Sequence, residues 1–311
     1  MSAWQPDPLL AGFEALELRF PRDYDGDVVA TLVRLPEGRS SPGGPRGPVL
    51  YVHGYNDYFF QAHMAQRFAA EGYAFYALDL RKHGRSLRPW QHPNFCKDIA
   101  EYYADITAAI EAIGAPVLLA GHSTGGLVCS LYADECEKRG SRSSQVSGLW
   151  LNSPFFDWRT ADWKRPQIHM AAALGRFAPF TKSPEALPRG YTESLLAAGW
   201  QLDLALKPIE AFPVYLGWIA AICDAHERVH RGLRIACPVL SMYSDEADVV
   251  LGWRQIAKYS RSLGDDVTTL QFPGGLHDLV LSRPEIREEV FRQLFAWLRR
   301  ERRSSLERLP A

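Results

Sequence analysis

The sequence lacks several features, and each gap removes a class of function. Net charge is almost absent, with 35 Lys and Arg against 36 Asp and Glu giving −1. A nucleic-acid surface needs a basic excess, so no nucleic-acid partner is expected. There are five cysteines, Cys96, Cys129, Cys136, Cys223 and Cys237. Their number is odd and no pair has C-x-x-C spacing, which fits buried thiols in a reduced, cytosolic protein better than a disulfide framework. The longest apolar stretch, from Ala211 to Ala225, contains Pro213 and runs into Asp224 and His226. It falls short of the roughly 18 residues that a membrane span needs, so no stable membrane insertion is expected. The first residues lack a basic n-region and an apolar core, so no signal peptide is expected. No G-x-G-x-x-G, Walker loop or H-E-x-x-H occurs, so neither a nucleotide cofactor nor a metal is expected. There is no internal repeat.

What is present is a hydrophobic fraction of 47% in 311 residues, enough for a sizeable core. Leu16–Phe20 and Val28–Leu35 read as strands joined by the Asp23–Asp27 turn, an antiparallel hairpin. A Gly/Pro/Ser/Arg-rich loop follows from Pro36 to Pro48. Strands over 48–54 and 74–80 flank a helix over 61–71 that Gly72 closes. Ile99, Tyr103, Ile106, Ile110 and Ile113 form one helical stripe. The strand 116–120 and a helix after Ser123 come next, then a polar loop over 140–147 and a strand from Gly148. Further strands are predicted at 238–243 and 267–272, with helices over 253–263 and from Pro284, the last carrying Ile286, Val290, Leu294 and Leu298 on one face. Strands alternating with helices give an α/β protein with a mostly parallel sheet covered on both sides. Between Phe155 and Phe212 the rhythm breaks: Trp158, Trp163 and Trp200, several prolines and short helical runs, but no convincing strand. The expected organisation is a core (1–154), a helical cap (155–212) over the carboxyl edge of the sheet, and the rest of the core (213–311).

The chain is arranged around Gly121-His122-Ser123-Thr124-Gly125-Gly126. An apolar strand precedes this stretch and a helix follows it, the context of a nucleophile elbow. The turn lifts Ser123 above the carboxyl end of the sheet and aims a helix N-terminus at it. Gly121 and Gly125 remove clashes across the turn. A serine hydroxyl needs a base. His277, in a glycine-flanked loop after the last strand, is placed to take the proton and return it to a leaving group. An acid must orient that imidazole, and Asp245, Glu246 and Asp248 all follow the strand 238–243; Asp248 is favoured, with Asp245 as the alternative. The oxyanion donors are assigned to the backbone N–H groups of Thr124 and Tyr55. His53, His83 and His122 adjoin glycines and read as hydrogen-bonded structural residues. The basic segment Arg299–Arg303 ends an amphipathic helix and favours its dipole and solubility.

His53-Gly54, Asp79-Leu-Arg-Lys-His83-Gly84-Arg-Ser86, the elbow and Gly274-Gly-Leu-His277-Asp together resemble the α/β-hydrolase superfamily. Within it the chain is similar to the lysophospholipase and monoacylglycerol-lipase-like branch, also called the serine aminopeptidase group. The resemblance covers nearly the whole chain and weakens in the cap. It implies an eight-stranded sheet with an antiparallel second strand, a lid, and a Ser-Asp-His triad. By position the triad is Ser123, Asp248 and His277, since Ala247-Asp248-Val-Val matches the branch's acid stretch. The implied activity is hydrolysis of a small-molecule carboxylic ester through an acyl-enzyme. The aromatic residues of the cap and Tyr55, Tyr58, Phe59 and Phe60 fit an apolar acyl or aryl group. Two readings compete. Amide cleavage from an amino terminus would need cap carboxylates such as Glu185, Glu193, Asp203 and Glu210 to hold an ammonium group. A non-catalytic binding protein on the same fold would have no use for an intact Ser, His and acid set.

Overall fold

Val49, Leu50, Tyr51 and Val52 are consecutive, apolar and buried, as a strand covered on both faces requires. The structure, a computed structural model, describes residues 3–36, 46–140, 145–184 and 190–307. Most of the expected 36–48 loop, part of the 140–147 loop, Glu185 and the Arg303 side chain lie outside the described residues.

Strands β1 (Gln5–Pro6), β2 (Glu14–Asp23), β3 (Gly26–Arg34), β4 (Pro48–Val52), β5 (Ala74–Asp79), β6 (Val117–His122), β7 (Val146–Asn152), β8 (Val239–Tyr243) and β9 (Val267–Gln271) form one sheet. Its order is β1-β2-β3-β5-β4-β6-β7-β8-β9. Pairing is antiparallel from β1 to β5 and parallel from β5 to β9, so β3 runs against both its neighbours. The sheet has nine strands rather than the expected eight because a two-residue edge strand, β1, pairs with β2. The β2–β3 hairpin is pinned at its turn: Asp23 and Asp25 pair with the fully buried Lys82 Nζ at 2.8 and 3.2 Å.

Two apolar cores lie on opposite faces. Helices α1 (Ala62–Ala70) and α8 (Pro284–Glu307) cover one, with Met64, Phe68, Val290 and Leu294 buried against Val49, Tyr51 and Trp150. Helices α2 (Glu101–Ile113), α3 (Thr124–Lys138), α6 (Leu216–His230) and α7 (Trp253–Ser260) contribute to the other. Helix α7 stops three residues short of the predicted end, where Arg261 caps it. Between β7 and β8 the chain adds α4 (Arg165–Phe177) and α5 (Gly190–Ala197) before α6. The apolar run 211–225 is accounted for by α6, whose Trp218, Ile219 and Ile222 are buried against the body. No helix among the described residues is long and apolar enough to cross a membrane.

The motif from Asp79 to Ser86 is a structural brace. Asp79 accepts from the Phe59 and Arg85 amides and pairs with Arg85, which also pairs with Asp7. Gly84 has φ +45°, and a Cβ there would lie 2.4 Å from Tyr58 Cβ and 2.5 Å from Asp79 Oδ2, so no side chain fits. The brace fixes the loop that follows β4.

Candidate active site

The carboxyl ends of β4, β6, β7, β8 and β9 face one edge, where open α/β sheets collect their ligand-binding loops. Ser123 sits there, between β6 and α3, with φ 52° and ψ −118°. A non-glycine residue in that region stores about 1–3 kcal/mol of strain, which the surrounding structure must hold in place. Three bonds hold it: the Ser123 amide donates to Asn152 O at 3.0 Å, and Ser123 O accepts from the Leu127 and Phe155 amides. A Cβ on Gly125 would lie 2.3 Å from His53 O and 2.4 Å from Val52 O, and one on Gly121 would lie 2.6 Å from Gly125 O. Both glycines are therefore required by backbone contact. Thr124 opens α3, so its amide has no carbonyl one turn back to bond.

His277 is buried, and its Nδ1 lies 2.9 Å from Asp248 Oδ2. The other carboxylate oxygen of Asp248 accepts from the Val250 and Leu251 amides at 2.7 and 3.0 Å. Burial alone would push this carboxyl up, but the His277 partner and the two amides outweigh it and hold the group below the ordinary carboxylate range. Asp245 takes a different part. It is half-buried, and its Oδ1 accepts from the Ala247 and Gly274 amides, tying the β8 loop to the β9 loop. Glu246 is exposed and pairs with Arg254. The Asp248 carbonyl accepts from Arg159, a residue of the segment after β7.

The histidine loop is also tied directly to the elbow through Asn152, which no local sequence pattern marks out. Asn152 is 1% exposed at the end of β7. Its backbone oxygen holds Ser123, its Nδ2 donates to Asp278 Oδ1 at 2.7 Å, and its Oδ1 accepts from the Leu279 amide at 3.2 Å. Gln61 Nε2 donates to the other Asp278 oxygen at 3.2 Å. One residue thus fixes the loops of both Ser123, through its backbone oxygen, and His277, through its side chain.

The loop after β4 lies against the elbow, since a Cβ on Gly54 would be 3.1 Å from Ser123 Cβ. Tyr55 follows, its ring 4.0 Å from that of Trp218 on α6. Asp57 and Lys207 form an ion pair at 2.7 Å with both side chains only 3% exposed. Removing one partner of such a pair strands a buried charge at a cost of about 3–5 kcal/mol. Phe59 packs on Phe13, Tyr51 and Phe75 in the body core. The Tyr191 ring, from α5, stands edge-on to His277 at 5.4 Å.

The remaining histidines near this edge are hydrogen-bonded in the scaffold. His53 Nε2 accepts from the Leu80 amide, which leaves Nδ1 to donate to Gly54 O. His122 Nδ1 faces Asn152 O and His83 Nδ1 faces Arg81 O. Burial lowers the pKa of His83 and His122 below the ordinary histidine value. Glu193, Asp203 and Glu210 are exposed, and the buried charge that the inserted segment brings to the β4 loop is the cation Lys207. Among the described residues, no group of three or more His, Cys, Asp or Glu could hold a metal ion.

Residues 43–283 match the profile of the family described as serine aminopeptidase, S33. The chain is 34% identical over 275 residues to a monoacylglycerol lipase of Mycolicibacterium smegmatis, covering 82% of this chain and 88% of that lipase. Its fold is similar to that of a soluble variant of monoglyceride lipase from Saccharomyces cerevisiae, with a TM-score of 0.72, 18% identity, and coverage of 92% of this chain and 96% of the other. The monoacylglycerol lipase of Paleococcus ferrophilus gives a TM-score of 0.66 at 24% identity, covering 84% and 96%.

Proposed function

The chain belongs to the serine aminopeptidase S33 family of α/β-hydrolases, and from that premise we propose that it hydrolyses carboxylic esters with one apolar acyl chain, monoacylglycerols among them. The observation that carries this reading is the strained Ser123 elbow beside a buried His277–Asp248 pair, with Asn152 fixing both loops. The curated relative named above is a monoacylglycerol lipase, which favours the ester over the amide alternative.

In this mechanism Ser123 attacks the ester carbonyl while His277 takes its proton. Asp248 holds the imidazole through Nδ1, which leaves Nε2 for the proton transfer. The amides of Tyr55 and Thr124 stabilise the oxyanion, helped by the N-terminus of α3. His277 returns the proton to the leaving alcohol, and water then releases the acid by the reverse path. Residues 155–212 act as the cap over this edge, and their aromatic side chains shape the acyl site.

The test is turnover of p-nitrophenyl esters of increasing acyl length, and of monoacylglycerols, by the wild type, Ser123→Ala and Asp248→Asn. Ser123→Ala is expected to lose ester turnover with its fold intact. Asp248→Asn is expected to lose about 10⁴-fold in kcat because the wrong imidazole tautomer is held. Unchanged turnover in Ser123→Ala refutes the assignment.

A further inference from the structure

Four consecutive residues of the loop after β4 each bond to one short stretch of the chain between β7 and β8, 203–213, most of it in the inserted segment. Tyr55 Oη donates to Pro213 O at 3.4 Å, and Asn56 Oδ1 accepts from the Phe212 amide at 3.1 Å. Asp57 Oδ1 accepts from Lys207 Nζ at 2.7 Å, and Tyr58 Oη accepts from the Asp203 amide at 2.8 Å. The next two residues are held by the body instead, Phe59 through Asp79 and Phe60 through Gln61. Asn56 has φ +51°, a region few non-glycine residues enter and asparagine enters more readily than most. The Asn56 side chain is held from that stretch through the Phe212 amide, while Tyr55 also packs on Trp218 of α6 and Tyr58 on Phe60 and Arg85.

We propose that Lys207 is a positioning residue that sets the oxyanion hole from the inserted segment. The Asp57–Lys207 bond is the one ionic link of the four, and both partners are buried. Its ammonium lies 5.5 Å from the ring centroids of Phe60 and Tyr191, and Tyr191 packs on His277. An Asp57 carboxylate in that apolar setting is stable only with its counter-ion, so the loop and Lys207 move together or not at all. Two residues before Asp57 is Tyr55, whose amide is the assigned oxyanion donor. Seating of the insertion therefore sets the direction of that N–H. The inference rests on the ester-hydrolase reading above through Tyr55, while the latch itself is a property of the fold.

The test uses the full chain as wild type, Lys207→Met, and the double variant Asp57→Leu/Lys207→Met, in which no charge is left buried. Three quantities are read: kcat and KM on p-nitrophenyl butyrate per titrated site, Ki of a trifluoromethyl ketone that forms a tetrahedral oxyanion, and amide exchange of residues 53–60. Deleting an oxyanion donor costs about 10²–10³ in kcat, so misaiming one is expected to cost about 30-fold. KM is expected to stay within about threefold, and the ketone Ki to rise in step with the loss of kcat. Exchange in 53–60 rises while β4 and β6 stay protected. The double variant folds, keeps the low kcat, and carries the test alone if Lys207→Met does not fold. A folded variant with kcat and Ki within about twofold of wild type overturns the proposal, as does a loss confined to KM. A wild type without turnover would be a failure of the ester reading, visible before any variant is made. The exchange measurement then still decides the latch, since unchanged exchange at 53–60 overturns it.

Discussion

Replacing Asn152 by alanine tests whether one buried amide aligns the two halves of the site. Its Nδ2–Asp278 bond is charge-assisted and short, at 2.7 Å, and the Leu279 amide it accepts belongs to a residue with no exposure. Losing a charge-assisted bond costs about 1.5–3 kcal/mol, and stranding a buried N–H adds about 1–3. Val280 and Gln61 still donate to Asp278, so its carboxylate is weakened rather than orphaned. The expected destabilisation is therefore about 3–4 kcal/mol, read as a lower urea midpoint at unchanged slope. The backbone oxygen of residue 152 still holds Ser123, so the elbow persists and the error falls on the His277 loop. A shift near 1 Å in a catalytic group costs about 10²-fold, so kcat is expected to fall about 10- to 100-fold with KM nearly unchanged. Asn152→Asp keeps the shape but opposes Asp278 with a second carboxylate, and it is expected to recover activity as pH falls and one of the pair protonates. An Asn152→Ala protein with wild-type kcat at full folding would refute the alignment argument.

Two further outcomes follow from the elbow's backbone contacts and from a buried histidine of α6. Gly125→Ala places a methyl 2.3 and 2.4 Å from two carbonyl oxygens, neither able to retreat without breaking β4, so the variant is expected to be insoluble or without a cooperative melt. His226 is 3% exposed, its Nε2 bonds Phe155 O, and burial drops its pKa from 6.5 to about 3. Its folded value is depressed, so the unfolded chain binds the extra proton and stability falls as pH drops from about 6.5 toward 3. Between pH 6.5 and 5 this one group removes about 2 kcal/mol, and His226→Gln is expected to flatten that part of a urea-stability profile.

The elements most legible in the sequence were those with local causes. Period-2 and continuous apolar runs gave the strands from β2 onward, and the stripe Ile286, Val290, Leu294 and Leu298 is buried as its spacing requires. The two-residue β1 carries no pattern because its pairing depends on β2 alone. Helix α6 shows in the sequence only as an apolar run, since being buried on several sides blurs the 3.6-residue period. The acid stretch does not single out one carboxylate, for a related reason. Asp245, Glu246 and Asp248 share one loop and similar local propensity, and only the folded path turns Asp248 toward His277 while Asp245 ties the loop to Gly274.

By itself the sequence determined the α/β architecture, the elbow and the loop that carries His277, because each depends on residues within a few positions of one another. Glycine two residues either side of Ser123 is a steric demand written in the chain. Tertiary structure alone decided which distant side chains meet in the dark of the interior. Asn152 joins Asp278 across 126 residues and Asp57 joins Lys207 across 150. Such pairs leave no local mark, since an amide or an ammonium group gains its strength there from the absence of water, and that absence exists only once the chain has folded.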